Sequence, residues 1–373
     1  SLPGLEREYL HTHRQLQIAG PVLEETPTDA TIHVDATVHI KDLQKLLDLD
    51  EHLVEFVTVG DEVLAFIVSR ENFQSVRCLA SKSEVEAHIN RLRFQWSKFG
   101  PIEHDDRFQS QLTSSTHCVL QTLYELLLEP LEGYLSLQKL TIIPHGLLHA
   151  VPFHALYDGN RYALDRWEFA YAPSAAVWQA CRLRGETESE QSFVVGVSDE
   201  GITCVRDEVA ALRKLLPEAS LFEDEAATLD CIPNDGQYRY LHFATHAIFR
   251  RDNPLFSGLR LSDGWLIAHD LYRRRLECHL ATLSACRTGL SSVVPGDELL
   301  GLVRGFLCAG ARAVMVSLWA AHDAATAQLM QHVYSLLAKG VSRAAALRTA
   351  QQSLRARYPH PYYWAAFALV GVR

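Results

Sequence analysis

Membrane spans, paired cysteines and an excess of basic residues are all missing from this sequence. No apolar run approaches the ~18–20 residues that a bilayer span needs, and no basic, apolar leader precedes the first predicted element. The eight cysteines include no CxxC pair, and single cysteines scattered through a large chain are typical of a reducing compartment. These absences predict a soluble, cytoplasmic protein with no membrane partner.

Charge is weighted towards the acidic side. Asp and Glu number 45 and Lys and Arg number 35, which gives a formal net charge of −10. An acidic chain without a basic stripe is a poor candidate for direct nucleic-acid binding. The 373 residues are 48% hydrophobic and 21% charged, as expected for two or three folded units or one large α/β domain. Because the chain starts at Ser1 rather than Met, we expect it to be part of a longer protein.

Predicted strands alternate with helices of about ten residues or more over most of the chain. This order is typical of a mostly parallel sheet with helices on both faces. A polar, Glu/Ser-rich stretch at 185–191 predicts a boundary, so we expect one subdomain at 29–188 and another at 189–373. Residues 1–28 contain a short polar helix at 5–17, which predicts the stub of an upstream helical region. The predicted strands are 30–40, 53–59, 63–68, 139–144, 167–172, 192–197, 238–245, 259–261, 265–267, 280–285, 313–318 and 364–370. The predicted helices are 42–49, 83–96, 116–128, 174–184, 208–216, 298–309, 324–337 and 342–356. A loop is predicted at 98–109.

Two reactive side chains follow two of these predicted strands. His246 comes directly after the strand at 238–245, and Cys286 comes directly after the strand at 280–285. Ligands of open α/β sheets bind beyond the carboxyl ends of the strands. If the two strands are neighbours, an imidazole and a thiol face each other across that edge.

Such a pair supplies what thiol chemistry requires. The thiolate is the nucleophile, and a nearby imidazole can lower the pKa of the thiol or take its proton. The backbone N–H groups of Cys286 and Ala247 are predicted to bind an oxyanion. Gly289 and Gly296 give the loop after the cysteine the freedom to shape a substrate cleft.

Three other interpretations stay open on position alone. The cysteine and histidine can be ordinary core residues, as most free cysteines are. His242 and His246 have the HxxxH spacing of a helical zinc site, but on a strand four residues separate the two rings by roughly 13 Å, too far for one ion. A serine hydrolase would need the nucleophile elbow Gly-x-Ser-x-Gly, which does not occur. Ser174 is instead predicted to cap a helix, and His145 to lie in a turn.

Several motifs, in order along the chain, make it resemble a known family. The runs HFATH at 242–246, LSDG at 261–264 and LSACRTG at 283–289 are similar to those of the CHAT family. This family comprises caspase- and separase-like cysteine proteases, often carried behind tetratricopeptide repeats. Further matches are GDEL at 296–299, SLW at 317–319, HPYYWAAF at 360–367, IPHG at 143–146, PFHAL at 152–156 and APS at 172–174.

The resemblance implies a caspase-like α/β fold with a degenerate first half and an active second half. It also implies a catalytic dyad of His246 and Cys286, in agreement with the strand-end argument. Members of the family are soluble bacterial regulatory proteases. Some serve antiphage defence, either as the protease arm of an RNA-guided effector or as activators of pore-forming, gasdermin-like proteins.

Two positions depart from the family pattern. Ala247 stands where the family usually has Gly after the catalytic histidine, a change that keeps the backbone N–H but restricts φ. Ala320 stands where separase-type relatives carry an Asp that recognises a basic side chain. Because an unpaired buried charge is costly, we expect an uncharged P1 residue, such as Leu or Met.

The sequence therefore predicts a cysteine endopeptidase that acts on a protein substrate without a metal or another cofactor. Its alternative is a catalytically silent, caspase-like interaction scaffold. We expect a partner to gate the site through the loop at 287–295, either the upstream helical repeats or an RNA-guided effector complex bound through them, in antiviral defence. The residues expected to line the substrate pocket are Ser284, Arg287, Asp297, Trp319, Ala320 and Asp323.

Overall fold

A computed structural model describes residues 38–99, 106–199, 202, 204–250, 253–287 and 297–373. For 106–109, 285–287 and 297–300 it describes the backbone only. The predicted helix at 5–17, most of the predicted strand at 30–40 and the loop residues 288–295 lie outside the described residues.

Strands form where β-branched, aromatic and other apolar residues are concentrated, as their preference for a buried pleated surface predicts. The strands are β1 (Glu51–Val59), β2 (Glu62–Val68), β3 (Phe73–Ser81), β4 (Lys139–Ile143), β5 (Glu168–Tyr171), β6 (Ser192–Gly196), β7 (Ala219–Glu223), β8 (Asp235–Ile248), β9 (Gly258–Arg260), β10 (Trp265–Ile267), β11 (Arg275–Arg287), β12 (Ala313–Ser317) and β13 (Phe367–Gly371).

Helices connect most of the parallel strands, and several begin at a side-chain cap. Ser174 and Ser342 each accept a hydrogen bond from the backbone N–H three residues later, so Ser174 is the helix cap that the sequence predicted. The helices are α1 (Ile40–Leu46), α2 (Lys82–Trp96), α3 (Asp106–Leu127), α4 (Ala163–Arg166), α5 (Ala175–Leu183), α6 (Val205–Leu215), α7 (Ala268–Leu271), α8 (Asp297–Ala309), α9 (Asp323–Leu337), α10 (Arg343–Arg355) and α11 (Pro361–Trp364).

The strands of the described residues form one sheet of thirteen strands. Its main path runs β10-β9-β8-β11-β12-β13-β5-β4-β1-β2-β3, and β6 with β7 joins β8 on the side opposite β11. Strands β6, β8, β11 and β12 run parallel, whereas β12 and β13 are antiparallel. The sheet is therefore mixed but mostly parallel around β8, and the predicted fold class is confirmed.

Helices cover both faces of this sheet. The ring of His242 packs against Tyr334 of α9, while the next residue, Phe243, packs against Phe306 of α8. Because successive strand residues point to opposite faces, α8 and α9 lie on opposite sides of the sheet. Helices α6 and α10 both contact α9 and share its side.

The two predicted halves contribute to the same sheet. Strand β13 of the second half is parallel to β5 of the first, with Val370 in register with Tyr171. At this junction the imidazole of His154 bonds the hydroxyl of Tyr171 at 2.8 Å and the carbonyl of Ala365 at 2.9 Å. The segments on either side of residue 188 thus share one sheet, and the boundary there stays a prediction.

The sequence predicted the hairpins β1–β2 and β9–β10 but missed the edge strands β3 and β7. Half-buried residues are scattered along both edge strands, so neither shows the alternation that marks a strand with one buried face. The ladder between β2 and β3 also contains a register shift, near which Cys78 adopts a positive φ of 55°.

Two helices begin earlier than the sequence predicted, and one begins within a predicted strand. Helix α1 starts at Ile40, inside the segment predicted as strand. Helix α3 starts at Asp106, inside the predicted loop at 98–109, and α6 starts at Val205 rather than 208. The first turns of α3 and α6 each contain mostly polar residues, so the apolar periodicity used for prediction begins only after them.

Candidate active site

Four parallel strands end at one edge of the sheet, and the residues that follow them converge there. Because β6, β8, β11 and β12 are parallel, their carboxyl ends share this edge. Asp199 follows β6, His246 lies near the end of β8, and Cys286 lies near the end of β11. The segment 318–323 follows β12, so four separate stretches of sequence meet at the edge.

His246 and Cys286 are direct register partners. In the β8–β11 ladder the Cα of Cys286 pairs with that of His246, and Arg287 pairs with Ala247. The two strands are therefore neighbours, as required for the imidazole of His246 and the thiol of Cys286 to face each other. Both strands extend beyond the predicted ends, β8 to Ile248 because it also pairs with β9, and β11 to Arg287.

One nitrogen of His246 faces a carboxylate that the sequence analysis did not identify. Nε2 of His246 lies 2.7 Å from Oδ2 of Asp199. The imidazole is buried, whereas the side chain of Asp199 is about half exposed. Asp199 follows β6 by three residues, so the placement of β6 beside β8 is the signal that would have found it.

The segment that carries Asp199 is fixed by a second carboxylate. Oδ1 of Asp224 accepts hydrogen bonds from the backbone N–H (2.9 Å) and the hydroxyl (2.7 Å) of Ser198, and Arg206 binds the other oxygen at 3.1 Å. The hydrogen bonds from Ser198 hold the pKa of Asp224 below its usual value. Asp224 has a positive φ of 46°, which costs about 1–2 kcal/mol for a residue with a Cβ, and these contacts offset that cost.

A buried polar network lies behind this edge. Oε1 of Glu208, on α6, lies 2.9 Å from Nε2 of His242, and Oε2 accepts a hydrogen bond from Ser284 at 3.0 Å. The hydroxyl of Tyr334 lies 3.0 Å from Nδ1 of His242 and donates to Oγ1 of Thr282 at 2.9 Å. All five side chains are buried. Both ring nitrogens of His242 therefore face groups other than His246, the residue it would have to join in a zinc site.

No cluster of three or more His, Cys, Asp or Glu side chains that could hold a metal ion occurs among the described residues. His242 and His246 instead contact separate carboxylates, Glu208 and Asp199. That the chemistry needs no metal stays a prediction.

Two of the predicted pocket residues are packed away from solvent. Ser284 is 5% exposed, and its hydroxyl donates to the buried carboxylate of Glu208. Trp319 is 3% exposed, stacks on Trp96 at a centroid distance of 3.9 Å and donates its indole N–H to the carbonyl of Tyr362. Both side chains therefore support the edge from within the core.

The other predicted pocket residues lie closer to the surface or are described by backbone alone. Ala320 is exposed, and Asp323, at the start of α9, is half-buried. Oδ2 of Asp323 accepts a hydrogen bond from the backbone N–H of Cys204 at 2.8 Å, which joins the segment after β12 to the segment after β6. The backbone places Arg287 at the end of β11 and Asp297 at the start of α8.

Ala247, the second predicted oxyanion donor, is enclosed by strands. It pairs with Leu259 of β9 on one side and with Arg287 of β11 on the other, and it is 1% exposed. Its N–H belongs to backbone inside the sheet, and its donor role stays a prediction.

Burial makes several other cysteines poor nucleophiles. Burial raises the pKa of Cys278 to about 12 and that of Cys181 to about 11. It also raises the pKa values of Cys231 and Cys308. A thiol with a raised pKa is scarcely ionised at neutral pH, so these four cysteines do not compete in thiolate chemistry.

The corresponding histidine of the first half, His145, was predicted to lie in a turn, but it has an extended backbone and is the N-cap of a short 3-10 helix at Gly146–Ala150. His145 follows β4, and its Nδ1 accepts a hydrogen bond from the backbone N–H of Thr58 at 3.0 Å. The neighbouring strand β5 ends at Tyr171 and is followed by Ala172 and Pro173, without a cysteine.

The chain belongs to the CHAT-domain family, whose model matches residues 117–372. The match includes β8, β11 and the register pair His246–Cys286. The resemblance inferred from the sequence motifs is therefore confirmed.

Two curated relatives are tetratricopeptide repeat protein 28 of Mus musculus and of Homo sapiens. Each is 27% identical to this chain over 322 residues. The alignments cover 68% of this chain and 13% of each relative, so the chain spans a small part of the length of these relatives.

The fold is shared with separase. A chain of the Saccharomyces cerevisiae separase–securin complex aligns with a TM-score of 0.61 at 10% identity, covering 89% of this chain and 30% of that chain. A second crystal structure of that complex gives a TM-score of 0.60 at 11% identity, with coverages of 89% and 31%. This likeness establishes a mixed α/β, caspase-like fold.

None of the described helices is both long and apolar enough to cross a membrane.

Proposed function

We propose that the protein is a cysteine endopeptidase in which Cys286 is the nucleophile and His246 is the general base. The observation that carries this proposal is the register of β8 and β11, which makes the two residues direct neighbours on parallel strands. Adjacent strands lie about 4.8 Å apart, a separation across which an imidazole can take the proton of a thiol.

Asp199 supports this assignment because it determines which nitrogen of His246 accepts the proton. Nε2 lies 2.7 Å from the carboxylate of Asp199 and donates a hydrogen bond to it. The lone pair is then on Nδ1, the ring nitrogen nearer the backbone. Nδ1 is the base, and the carboxylate stabilises the imidazolium that forms.

The reaction proceeds by acyl transfer to sulfur. Nδ1 takes the thiol proton and the thiolate attacks the scissile carbonyl carbon, giving a tetrahedral oxyanion to which the N–H groups of Cys286 and Ala247 donate. When the oxyanion collapses, the C–N bond breaks and the imidazolium gives its proton to the leaving amine. Water then attacks the thioester with the same imidazole as base, which releases the carboxylic acid and restores the thiol.

The substrate pocket lies beside the segment that follows β12. Ala320 is exposed there, and Asp323 borders the same segment. Ser284 and Trp319 act from behind the pocket wall, since both are buried. The other members of the proposed pocket are Arg287 and Asp297. An exposed, uncharged Ala320 in the segment after β12, the strand next to β11, supports an uncharged P1 residue.

The proposal includes regulation by segments or partners outside this chain. The first half (29–188) is a degenerate caspase-like subdomain, and the second (189–373) carries the dyad. The relatives are named for tetratricopeptide repeats and are far longer than this chain, which supports helical repeats as the gating element. No cofactor takes part. A cytoplasmic role in antiviral defence, with an RNA-guided effector bound through the repeats, rests on the family resemblance alone.

Labelling of the active site combined with peptide cleavage tests the proposal. Wild type, Cys286→Ala, His246→Ala and the matched control Cys118→Ala, which changes an exposed cysteine on α3, are treated with a peptide electrophile and assayed on a fluorogenic peptide library. We expect one adduct, at Cys286. We also expect a loss of cleavage of about 10⁴-fold or more in Cys286→Ala, a similar loss in His246→Ala and no change in Cys118→Ala.

Two outcomes contradict the proposal. Cleavage by Cys286→Ala at the wild-type rate removes the nucleophile assignment. If wild type forms no adduct and cleaves no peptide even with a repeat-containing partner bound, the silent interaction scaffold is the correct function.

A further inference from the structure

Glu208 contacts both strands that carry the proposed dyad, from behind the sheet. Its Oε1 lies 2.9 Å from Nε2 of His242 on β8. Its Oε2 accepts a hydrogen bond of 3.0 Å from the hydroxyl of Ser284 on β11. His242 precedes His246 by four residues, and Ser284 precedes Cys286 by two. One carboxylate therefore bridges β8 and β11 just before the two residues that must meet.

Both ring nitrogens of His242 face buried polar groups. The hydroxyl of Tyr334 donates its only proton to Thr282, so at the 3.0 Å contact it accepts from Nδ1–H of His242. The other nitrogen, Nε2, lies 2.9 Å from Oε1 of Glu208, and both atoms are buried. The carboxylate of Glu208 and the imidazole of His242 are therefore in direct contact inside the core.

We propose that Glu208 is a positioning residue for the dyad. By pairing with His242 and bonding Ser284, it holds β8 and β11 in the register that places His246 beside Cys286. A slip of one residue in such a ladder turns the side chains of a strand to the other face, so the register decides whether the base meets the nucleophile. This proposal rests on the proposed function of that dyad.

The contacts of Glu208 with His242 and Ser284 form a clamp on β8 and β11. Helix α6, which carries Glu208, connects this clamp to Asp199, the partner of His246. Helix α6 begins at Val205, shortly after the segment in which Asp199 contacts His246. Glu208 anchors the first turn of α6 to both strands. Loss of this anchor is therefore expected to change the thiol as well as the stability of the fold.

The test compares Glu208→Gln with Asp207→Asn, the same kind of change at the adjacent, exposed position of α6. Alkylation of Cys286 by iodoacetamide is followed by peptide mass spectrometry as a function of pH, and kcat and KM are measured on a peptide from the library. In Glu208→Gln we expect alkylation and kcat to fall by about 10-fold or more, with KM nearly unchanged. In Asp207→Asn we expect no change in any of these quantities.

The outcomes separate this proposal from the proposed function. If folded Glu208→Gln keeps the wild-type alkylation profile and kcat, the clamp is refuted and the dyad stands. If the alkylation profile changes in Glu208→Gln but wild type cleaves no peptide, the clamp stands and the protease proposal fails. Should Glu208→Gln not fold, Ser284→Ala removes only one arm of the clamp. It is expected to slow alkylation by a smaller factor, and an unchanged rate would overturn the clamp.

Discussion

Three histidines have different roles near one sheet, and the partners of their ring nitrogens account for the difference. His246 places Nε2 against the half-exposed carboxylate of Asp199, which suits a base. His242 faces the buried carboxylate of Glu208, which suits a structural role. Burial lowers the pKa of His154 to about 4, so this imidazole is neutral and joins the two halves. The residue type alone does not predict these roles.

The contact between Asp199 and His246 predicts a graded loss of activity. Asp199→Ala removes both the charge and the acceptor, so we expect kcat to fall by about 10- to 100-fold, with KM little changed. Asp199→Asn keeps an acceptor for Nε2–H and is expected to lose less. Steady-state kinetics on a library peptide measure both variants, with the exposed Asp230→Asn as control. Wild-type activity in Asp199→Ala would exclude Asp199 from the mechanism.

Specificity is predicted to favour an uncharged P1 residue, with Leu or Met preferred. Ala320 offers no charge, and the carboxylate of Asp323 already accepts the N–H of Cys204. A positional-scanning peptide library measures this preference in wild type and in Asp323→Asn, which should behave alike. Dominant Arg or Lys at P1, abolished in Asp323→Asn, would instead identify this carboxylate as the recognition group.

At the scale of elements, the sequence predicted where strands end better than which strands are neighbours. His246 and Cys286 were identified because each follows an apolar run, and parallel strands end at a common edge. Strands β3 and β7 were missed because the half-buried residues of an edge strand do not alternate clearly. The pairing of β8 with β9, which extends β8 past His246, depends on a tertiary contact that periodicity does not show.

The supporting residues of the site were also missed, for the same reason. Asp199 lies in an irregular segment, and only the placement of β6 beside β8 brings it to His246. Glu208 was placed in a predicted helix, where a carboxylate most often faces solvent. Tyr334 of α9 lies far along the chain from Thr282, to which it donates a hydrogen bond. Their roles depend on contacts between distant segments, so a single sequence does not reveal them.

Packing of α8 predicts a strong effect at one glycine. A Cβ at Gly301 would lie 2.4 Å from the carbonyl oxygen of Pro254, and that carbonyl already accepts a hydrogen bond from Ser257 at 3.1 Å. We expect Gly301→Ala to destabilise the fold by about 1–3 kcal/mol, despite the better helix propensity of Ala. Chemical denaturation measures the change. Gly133→Ala is the control, because a Cβ there meets nothing within 4 Å; equal effects of the two changes would refute the packing argument.

At the scale of the whole molecule, the continuity of the sheet makes the two halves depend on each other. Strand β13 joins β5, and the buried guanidinium of Arg373 forms an ion pair with Glu51 of β1 and lies 3.5 Å from Glu168 of β5. The stacked rings of Trp96 and Trp319 connect α2 with the segment after β12. The edge that carries the proposed dyad is therefore supported by residues of the first half, even though the strand next to β4 is not followed by a cysteine.

Acid is predicted to weaken this junction through His154. Its Nε2–H donates to the carbonyl of Ala365, and the hydroxyl of Tyr171 donates to Nδ1, so the fold accommodates the neutral ring. Burial lowers its pKa from 6.5 to about 4 in the folded chain. Its stabilising contribution is complete above the unfolded value and is lost as the pH falls from 6.5 towards 4, by up to about 3 kcal/mol. His360, whose pKa burial lowers to about 3, contributes with the same sign.

The variant His154→Gln isolates the contribution of His154, because Gln donates and accepts hydrogen bonds but does not titrate. We expect its denaturation midpoint to depend less on pH than that of wild type between the folded and unfolded pKa values. Above that window we expect both proteins to show a flat dependence. The background from His360 is common to both proteins, so the difference between the two curves reports the proton that wild type takes up at residue 154 on unfolding. Parallel curves through the window would show that His154 is not held neutral, and the two halves would then have to be joined chiefly by the sheet itself.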